Sequence, residues 1–274
     1  NDLQEMWVRQ LRQPFLSWWF HLNVDIGKNL GLSGEARAIL DKIIQKRVAA
    51  GDRKDDLLDM LLNARYEDGS FMTRQQLIDE VIILFIAGHE TTANALSFTL
   101  WLLARNPSIQ EKVFMEVSKL DFGGGLDLSV LSQLSFTKNC IEESMRLYPP
   151  AYFVDRVSVE GDTIKDSFHK SGTIWLVNLY AMHRHPEFWD RPHDFVPERF
   201  NVQNAKSFSG HYFPFGAGPR MCVGNNFAMY EMILVISQIV QRYKLTTPLQ
   251  QMELQPLITL RPQSASIAFK ARTG

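Results

Sequence analysis

One cysteine lies in a stretch whose residue types could bind a metal or act as a nucleophile. Cys222 belongs to the segment Phe215–Gly224, which reads FGAGPRMCVG, and its glycines and proline predict a shaped loop. Apolar residues at helical spacing follow from Asn225 to Gln241. Free N–H groups and the positive dipole end at a helix start favour a thiolate, and Arg220 adds a cation. The residues alone leave three interpretations open: a metal ligand, a nucleophile, or a buried, inert cysteine.

A long helix is predicted to carry a second group of chemically useful residues. Thr73 and Gln76 form a capping-box pattern, and the helix is expected to continue to Arg105, where Asn106-Pro107 stops it. Its length of roughly 45 Å, at about 1.5 Å per residue, would cross a whole domain.

The middle of this helix changes from apolar to polar. Val81–Ala87 is apolar on all sides, which predicts a path through a core. Gly88-His89-Glu90-Thr91-Thr92 follows, and glycine and threonine in a buried helix predict a local deformation with a functional purpose. The alternative is a helix that simply emerges into solvent.

A charged pair occurs on another predicted helix, Ser135–Leu147. Glu143 and Arg146 are three residues apart and therefore lie on one helix face. Their alternative interpretation is an ordinary surface ion pair.

Composition bounds the class of protein. The chain has 274 residues and a formal net charge of −1, so it can bury a sizeable core and shows no basic bias for nucleic acid. Its two cysteines form no disulfide framework, which predicts a reducing, cytoplasmic compartment. The longest apolar run, Val81–Ala87, is far shorter than the roughly 20 residues that span a bilayer, so no membrane segment is predicted. The first residue is Asn1, and the chain is expected to have been cut from a longer protein.

The remaining segments predict a mostly α fold with small β-sheets (α+β). Asp2–Phe20 is expected to be an aromatic helix whose exposed apolar surface, with Trp7, Trp18 and Trp19, could form a homo-oligomer. Ser33 is expected to cap a helix that ends at Val48. Short strands with a turn near Gly161-Asp162 are expected between Phe153 and Tyr180, and a strand pair turning at Pro262 between Leu257 and Arg272.

Four separated motifs together resemble the cytochrome P-450 family of haem-thiolate monooxygenases. The cysteine loop resembles its haem-ligand loop, and Ala87–Thr92 its oxygen-activation motif. Glu143-x-x-Arg146 resembles its E-x-x-R pair, and Pro197–Phe200 the segment whose Arg199 completes a Glu–Arg–Arg network. The motifs occur in the family's order, and the resemblance covers the chain from about Ser33 onward.

The resemblance implies a binding site for haem b (iron protoporphyrin IX). Cys222 would be the axial ligand of the iron, the only metal contact expected, and such a thiolate favours O–O cleavage. Phe215 would shield the sulfur, and Arg220 would pair with a haem propionate. The other implied contacts of the cofactor are with Gly218, Gly224, Arg156, Ala87 and Gly88.

The resemblance also implies roles on the oxygen side and beneath the loop. Thr91, with Glu90 behind it, would be catalytic and deliver protons during oxygen activation. Glu143, Arg146 and Arg199 would form a structural network that seats the haem. His89 occupies a variable position of its motif and is not expected to bind iron, and Cys140 is expected in the core.

The implied activity is hydroxylation of an apolar organic substrate with O₂ and electrons from a redox partner. Those electrons would come from NAD(P)H through a ferredoxin or a flavoprotein reductase. Residues 1–274 are interpreted as one haem-domain fragment lacking the family's N-terminal portion, with channel-roof helices in 1–72 and the haem-binding core in 73–274. Two alternatives stand: a non-catalytic or haem-free fragment, and a peroxide-driven or isomerising member of the family.

Overall fold

The computed structural model describes residues 24–51, 53–120 and 128–272, together with residues 5, 8 and 13. Helices dominate these ranges, and contacts divide the chain into two compact units, Asn1–Glu90 and Thr91–Gly274. The helices are α1 Val24–Ala50, α2 Leu57–Asn63, α3 Arg74–Arg105, α4 Pro107–Val117, α5 Ser135–Leu147, α6 Leu179–Met182, α7 Ala205–Phe208 and α8 Asn225–Arg242. Short 3₁₀ turns occupy Leu128–Gln133, Pro197–Phe200, Val202–Asn204 and Gly218–Arg220. The predicted helix at Asp2–Phe20 and its aromatic surface lie outside the described ranges.

The first unit packs α1 and α2 against the start of α3. Ile44, Leu77 and Ile78 form its buried apolar centre. Arg47 joins the two shorter helices, since its guanidinium contacts Asp56 at 2.8 Å and Asp59 at 3.1 Å.

Two predicted helix starts have different outcomes in this unit. The backbone N–H of Thr73 donates to Gln76 Oε1 at 2.8 Å and the N–H of Gln76 to Thr73 Oγ1 at 3.3 Å, which confirms the capping box. The predicted cap at Ser33 is wrong, because Ser33 lies inside α1. Gly27 and Gly31 before it cost only about 1 kcal/mol each in a helix interior and do not stop the helix.

The second unit has its core where α4, α5 and α8 meet the last turns of α3. Fully buried Leu103, Val113, Ile141 and Ile236 lie at this meeting point. Glu116 of α4 orients α5, because its carboxylate accepts the N–H groups of Phe136 and Thr137, both at 2.8 Å. A negative charge at a helix N-terminus is stabilising, so the acid on one helix fixes the start of the next.

The sheets are four antiparallel pairs. Strands β1 Phe153–Val157 and β4 Ile174–Asn178 enclose the hairpin β2 Asp162–Ile164 and β3 Ser167–His169. Strand β6 Leu254–Pro256 pairs with β7 Leu260–Pro262, and β5 Tyr243–Thr246 pairs with β8 Ala268–Ala271. After β8, Arg272 donates to the carbonyl of Val240 at 3.0 Å and to Glu111 at 3.1 Å.

Both sheet predictions placed strands in the right stretches of the chain but had wrong turns or partners. The predicted turn at Gly161-Asp162 is wrong, because the chain reverses after Ile164. The predicted pairing within 257–272 is also wrong, since its two strands pair with earlier segments of the chain. Alternation of side chains marks a strand but carries no information about which edge it joins.

The long helix α3 begins at Arg74 and ends at Arg105, as predicted. Phe98, Trp101 and Leu103 in its second half are buried, whereas Phe85 and Ile86 are exposed. The predicted burial of Val81–Ala87 is therefore wrong for part of that run. A segment that is apolar all round presents only one side to the small first-unit core, and its other sides stay exposed.

The same helix is, within the described ranges, long and apolar enough to cross a bilayer by length and composition. The core helix of a soluble protein meets the same criteria, so this feature is weak support for a membrane span. The sequence prediction of no membrane segment is correspondingly only weakly supported.

Candidate functional site

The cysteine loop is a sequence of tight turns. The N–H of Gly216 donates to the carbonyl of Phe213 at 3.1 Å, and the N–H of Cys222 donates to the carbonyl of Phe215 at 2.9 Å. Gly216 and Gly218 have φ of 73° and 70°, a region that side chains with a Cβ rarely adopt. The glycines thus let the chain fold back so that Cys222 lies beside Phe215.

Cys222 is an exposed residue with a free thiol, three residues before α8 begins at Asn225. Gly224 is the N-cap residue of α8, and its carbonyl accepts the N–H of Ala228 at 2.9 Å. A Cβ added at Gly224 would lie 4.0 Å from Cys222 Sγ. Glycine here therefore keeps the space beside the sulfur open.

Several apolar side chains close to Cys222 in the chain are exposed. Val223 and Phe227 are 89% and 73% exposed, and Met221 and Tyr230 are also exposed. Phe227 and Tyr230 lie three residues apart on α8 and therefore share a helix face. An accessible soft ligand within an open apolar surface fits a flat, largely apolar group that carries its own metal, as haem does.

Phe215 packs partly against the core of the second unit. Arg220 ends the Gly218–Arg220 turn and is exposed, and Arg156 is exposed on β1. The described contacts link Phe215 to Cys222 through the backbone. Sequence reasoning missed Val223 and Phe227, since apolar residues after a cysteine have no distinctive spacing.

A buried ion-pair network lies in the same unit. Arg146 Nε and Nη2 donate to the two carboxylate oxygens of Glu143 at 2.7 and 2.9 Å, and both side chains are fully buried. Arg199 Nε donates to Glu143 Oε1 at 3.2 Å, and the N–H of Val196 donates to the same oxygen at 2.9 Å. The structure therefore brings together the three residues that the sequence grouped, and the surface-pair interpretation of Glu143 and Arg146 is wrong.

Arg146 uses its remaining N–H groups on backbone carbonyls. It donates to His183 and Pro192, both at 2.8 Å, and to Asp194 at 3.1 Å. Its guanidinium also lies 4.9 Å from the ring centre of Trp189. A charge this deeply buried is tolerated because every side of its planar fork has an acceptor.

His183 connects this network to the cysteine loop. Its Nε2 accepts the backbone N–H of Phe213 at 3.1 Å, and its carbonyl accepts from Arg146. Burial, with Arg146 nearby, lowers the pKa of His183 to about 3, so the ring is neutral. No sequence pattern predicts this contact, because a lone histidine has no characteristic spacing from its partner.

The residues of the oxygen-activation motif lie within α3. Ala87 and Gly88 are exposed, and Glu90 and Thr91 are half-buried. The segment Gly88–Thr92 lies within the helical span of α3, and the local deformation expected there stays a prediction. Gly88 costs only about 1 kcal/mol in a helix, which one residue in a 32-residue helix can absorb.

The ring of His89 stacks on that of Phe85 with centroids 6.1 Å apart. Cys140 is fully buried, which confirms its core position, and burial raises the pKa of its thiol.

Residues 4–269 match the family model described as cytochrome P450. The chain belongs to the cytochrome P450 family, whose members are generally haem-dependent monooxygenases. Its fold is the P450 fold. The structure of CYP102L1 superposes with a TM-score of 0.83 at 27% identity over 92% of this chain, and that of cyanobacterial CYP120A1 with retinoic acid bound gives 0.85 at 28% over 91%. Each match covers 58% of the solved chain.

Curated relatives also match most of this chain and about half of their own length. Cyclooctat-9-en-7-ol 5-monooxygenase of Streptomyces melanosporofaciens is 34% identical over 76% of this chain and 46% of its own length. Leukotriene-B4 omega-hydroxylase 3 of Mus musculus is 34% identical over 76% of this chain and 41% of its own length. Putative cytochrome P450 132 of Mycobacterium tuberculosis is 31% identical over 90% of this chain and 54% of its own length. The chain thus spans about half the length of the curated relatives it matches.

Proposed function

We propose that this chain carries the thiolate ligand and supporting network of a haem monooxygenase that hydroxylates an apolar organic substrate. The observation that carries the proposal is the accessible sulfur of Cys222, held in a glycine loop just before α8. Its connection to the buried pair Glu143–Arg146 supports a site whose shape is set before any cofactor binds. Bound haem would supply activation of dioxygen, favoured by electron donation from the thiolate.

The loop residues would hold the cofactor by complementary chemistry. Cys222 would supply the axial thiolate, and the apolar side chains of Val223 and Phe227 would lie against the macrocycle. Gly218 and Gly224 would allow close approach, because neither has a Cβ between the backbone and the open space. Phe215 would exclude water from the sulfur, and Arg220, with Arg156 as a second candidate, would neutralise a propionate.

Thr91 and Glu90 would move protons during oxygen activation. Their half-buried positions support this role, since a proton relay must reach both solvent and a protected site. Ala87 and Gly88 on the same helix would leave space for oxygen, because their side chains are the smallest available.

The substrate class and the electron source are inferred by analogy. Two of the relatives are named for reactions on cyclooctat-9-en-7-ol and on leukotriene B4, and one solved neighbour has retinoic acid bound, all largely apolar molecules. We propose an apolar small-molecule substrate and electrons from NAD(P)H through a ferredoxin or flavoprotein reductase. The free thiols of Cys140 and Cys222 support a cytoplasmic site of action.

Haem content and the reduced, CO-bound absorption spectrum test the proposal. The purified chain should bind haem and show the red-shifted band of a thiolate complex. Cys222→Ser should abolish that band, whereas the control Cys140→Ala, at a buried cysteine, should keep it. A colourless protein under haem-replete expression would instead support a non-catalytic fragment. If the chain binds haem, substrate-dependent consumption of O₂ in the presence of a redox partner would separate an oxygenase from a peroxide-driven relative.

A further inference from the structure

We infer that His183 is a positioning residue for Cys222, because it anchors the backbone from which the cysteine loop folds. The inference rests on the proposed function only in treating Cys222 as the thiolate ligand. His183 lies just after α6, far from the loop in sequence, and its side chain is fully buried. Its contact with Phe213 spans 30 residues.

The contact fixes the chemical state of the ring. Nε2 of His183 accepts from an N–H donor, so this nitrogen carries no proton and Nδ1 carries it. Desolvation keeps the ring neutral at physiological pH, as does the positive charge of Arg146. The ring is therefore a permanent acceptor aimed at one backbone amide.

The backbone of Phe213 is connected to Cys222 by two hydrogen bonds and the short stretch of chain between them. The carbonyl of Phe213 accepts the N–H of Gly216, which closes the first turn of the loop. Gly216 follows Phe215, whose carbonyl accepts the N–H of Cys222. Displacing Phe213 would therefore shift both turns that set the position of the sulfur.

The backbone of His183 is also fixed by hydrogen bonds. Its backbone N–H donates to the carbonyl of Leu179 at 2.8 Å, and its backbone carbonyl accepts from Arg146. Tyr212 precedes Phe213 in the chain, and its hydroxyl donates to the carbonyl of Glu142 at 2.9 Å. The buried pair Glu143–Arg146 is thus mechanically connected to Cys222 through His183 rather than through a direct contact with the sulfur.

Two substitutions separate positioning from general packing. His183→Leu keeps an apolar side chain but removes the acceptor, whereas His183→Gln places an amide oxygen where Nε2 lies. Backbone hydrogen exchange is measured on the purified full chain for peptides covering 213–222 and, as reference, 135–147. We expect His183→Leu to raise exchange about tenfold in the first peptide only, which corresponds to loss of one hydrogen bond of about 1.4 kcal/mol, and His183→Gln to restore it.

The reduced, CO-bound spectrum provides the second readout. We expect His183→Leu to convert part of the thiolate-type band to the form without the red shift, and His183→Gln to recover it. Equal exchange increases in both peptides, or failure of Gln to rescue either readout, would overturn the inference in favour of a packing role. Absence of the thiolate band in the unsubstituted chain would instead refute the proposed function, while the exchange comparison would still decide whether His183 holds the loop.

Discussion

Arg146 and Glu143 form a two-pronged ion pair in which neither side chain is exposed to solvent. Truncating one member of such a pair leaves the other charge buried without compensation, which costs about 3–5 kcal/mol. The pair also connects α5 to the segment 183–194 through backbone carbonyls of that segment. It therefore contributes to the fold of the whole second unit.

We predict that Arg146→Met lowers the free energy of unfolding by about 3–5 kcal/mol, measured by urea denaturation. The free energy of unfolding of Arg146→Lys should lie between those of Arg146→Met and the unsubstituted chain, because lysine keeps the charge but loses the fork of donors. The control is Lys112→Met, which removes the 2.7 Å ion pair between Lys112 and Glu198. Their side chains are 57% and 42% exposed, so this substitution should leave the denaturation midpoint unchanged. Equal effects of Arg146→Met and Lys112→Met would contradict this account.

The pH dependence of stability should reflect His183. Its pKa is about 3 in the folded chain and about 6.5 when unfolded, so the unfolded state binds more protons between these values. The contribution of the neutral His183 ring to the free energy of unfolding is complete above about pH 6.5 and is lost as pH falls towards 3. In this range the free energy of unfolding changes by up to about 1.4 kcal/mol per pH unit. Denaturation series from pH 7 to pH 4 should show a shallower decline for His183→Gln than for the unsubstituted chain, and parallel curves would refute this assignment.

Gln110 provides a test of buried amide pairing in the core. Its Nε2 donates to the carbonyls of Leu103 and Leu245, both at 3.0 Å, and its Oε1 accepts the N–H of Leu245 at 2.8 Å. Gln110→Leu would leave these backbone groups buried and unpaired, so we expect a loss of about 2–4 kcal/mol in the free energy of unfolding. The exposed Gln203 offers the matched control Gln203→Leu, which should change stability little. A similar loss in both variants would exclude the pairing as the cause.

The two glycines of the loop should respond differently to alanine. Gly218 has φ of 70° and open space around it, so Gly218→Ala should cost about 1 kcal/mol of backbone strain. Gly224 has an ordinary φ of −91°, so Gly224→Ala should leave stability nearly unchanged. Because its new methyl group would lie 4.0 Å from the sulfur, it should instead weaken haem binding. Thermal unfolding and haem titration of both variants measure the two effects, and the reverse order would contradict the geometry.

Thr91→Ala should uncouple oxygen consumption from product formation if Thr91 moves protons. The expected result is continued O₂ uptake with more peroxide released per product, measured with a reconstituted redox partner. Ser97→Ala is the control on the same helix, since the Ser97 hydroxyl donates to the carbonyl of Ala93 within the helix. Unchanged coupling in Thr91→Ala would remove the role assigned to this hydroxyl.

Local patterns in the sequence predicted the elements that depend on neighbouring residues. The capping box at Thr73 and the bounds of Ser135–Leu147 follow from side-chain spacing within a few residues. The grouping of Glu143, Arg146 and Arg199 came from the combination of separated motifs, which no single spacing could supply.

Features that depend on distant contacts were beyond local patterns. The acceptor role of His183 towards Phe213 and the pairing of β8 with β5 join residues far apart in the chain. The exposure of Phe85 and Ile86 likewise depends on what packs beside α3, and hydrophobicity alone cannot report it. Tertiary contacts set these features, while the sequence pattern sets only which residues are available for them.

The pairing of β5 with β8 also bears on the order of folding during synthesis. Strand β5 directly follows α8, the helix that begins beside Cys222, and its partner ends at Ala271. Arg272 then bonds the end of α8 through Val240. Because these contacts require residue 272, a nascent chain that has not yet exposed this residue cannot complete the unit that holds the cysteine. A nascent chain arrested before β8 should therefore stay sensitive to protease in the region of α8, and cofactor capture should follow the emergence of β8 from the ribosome.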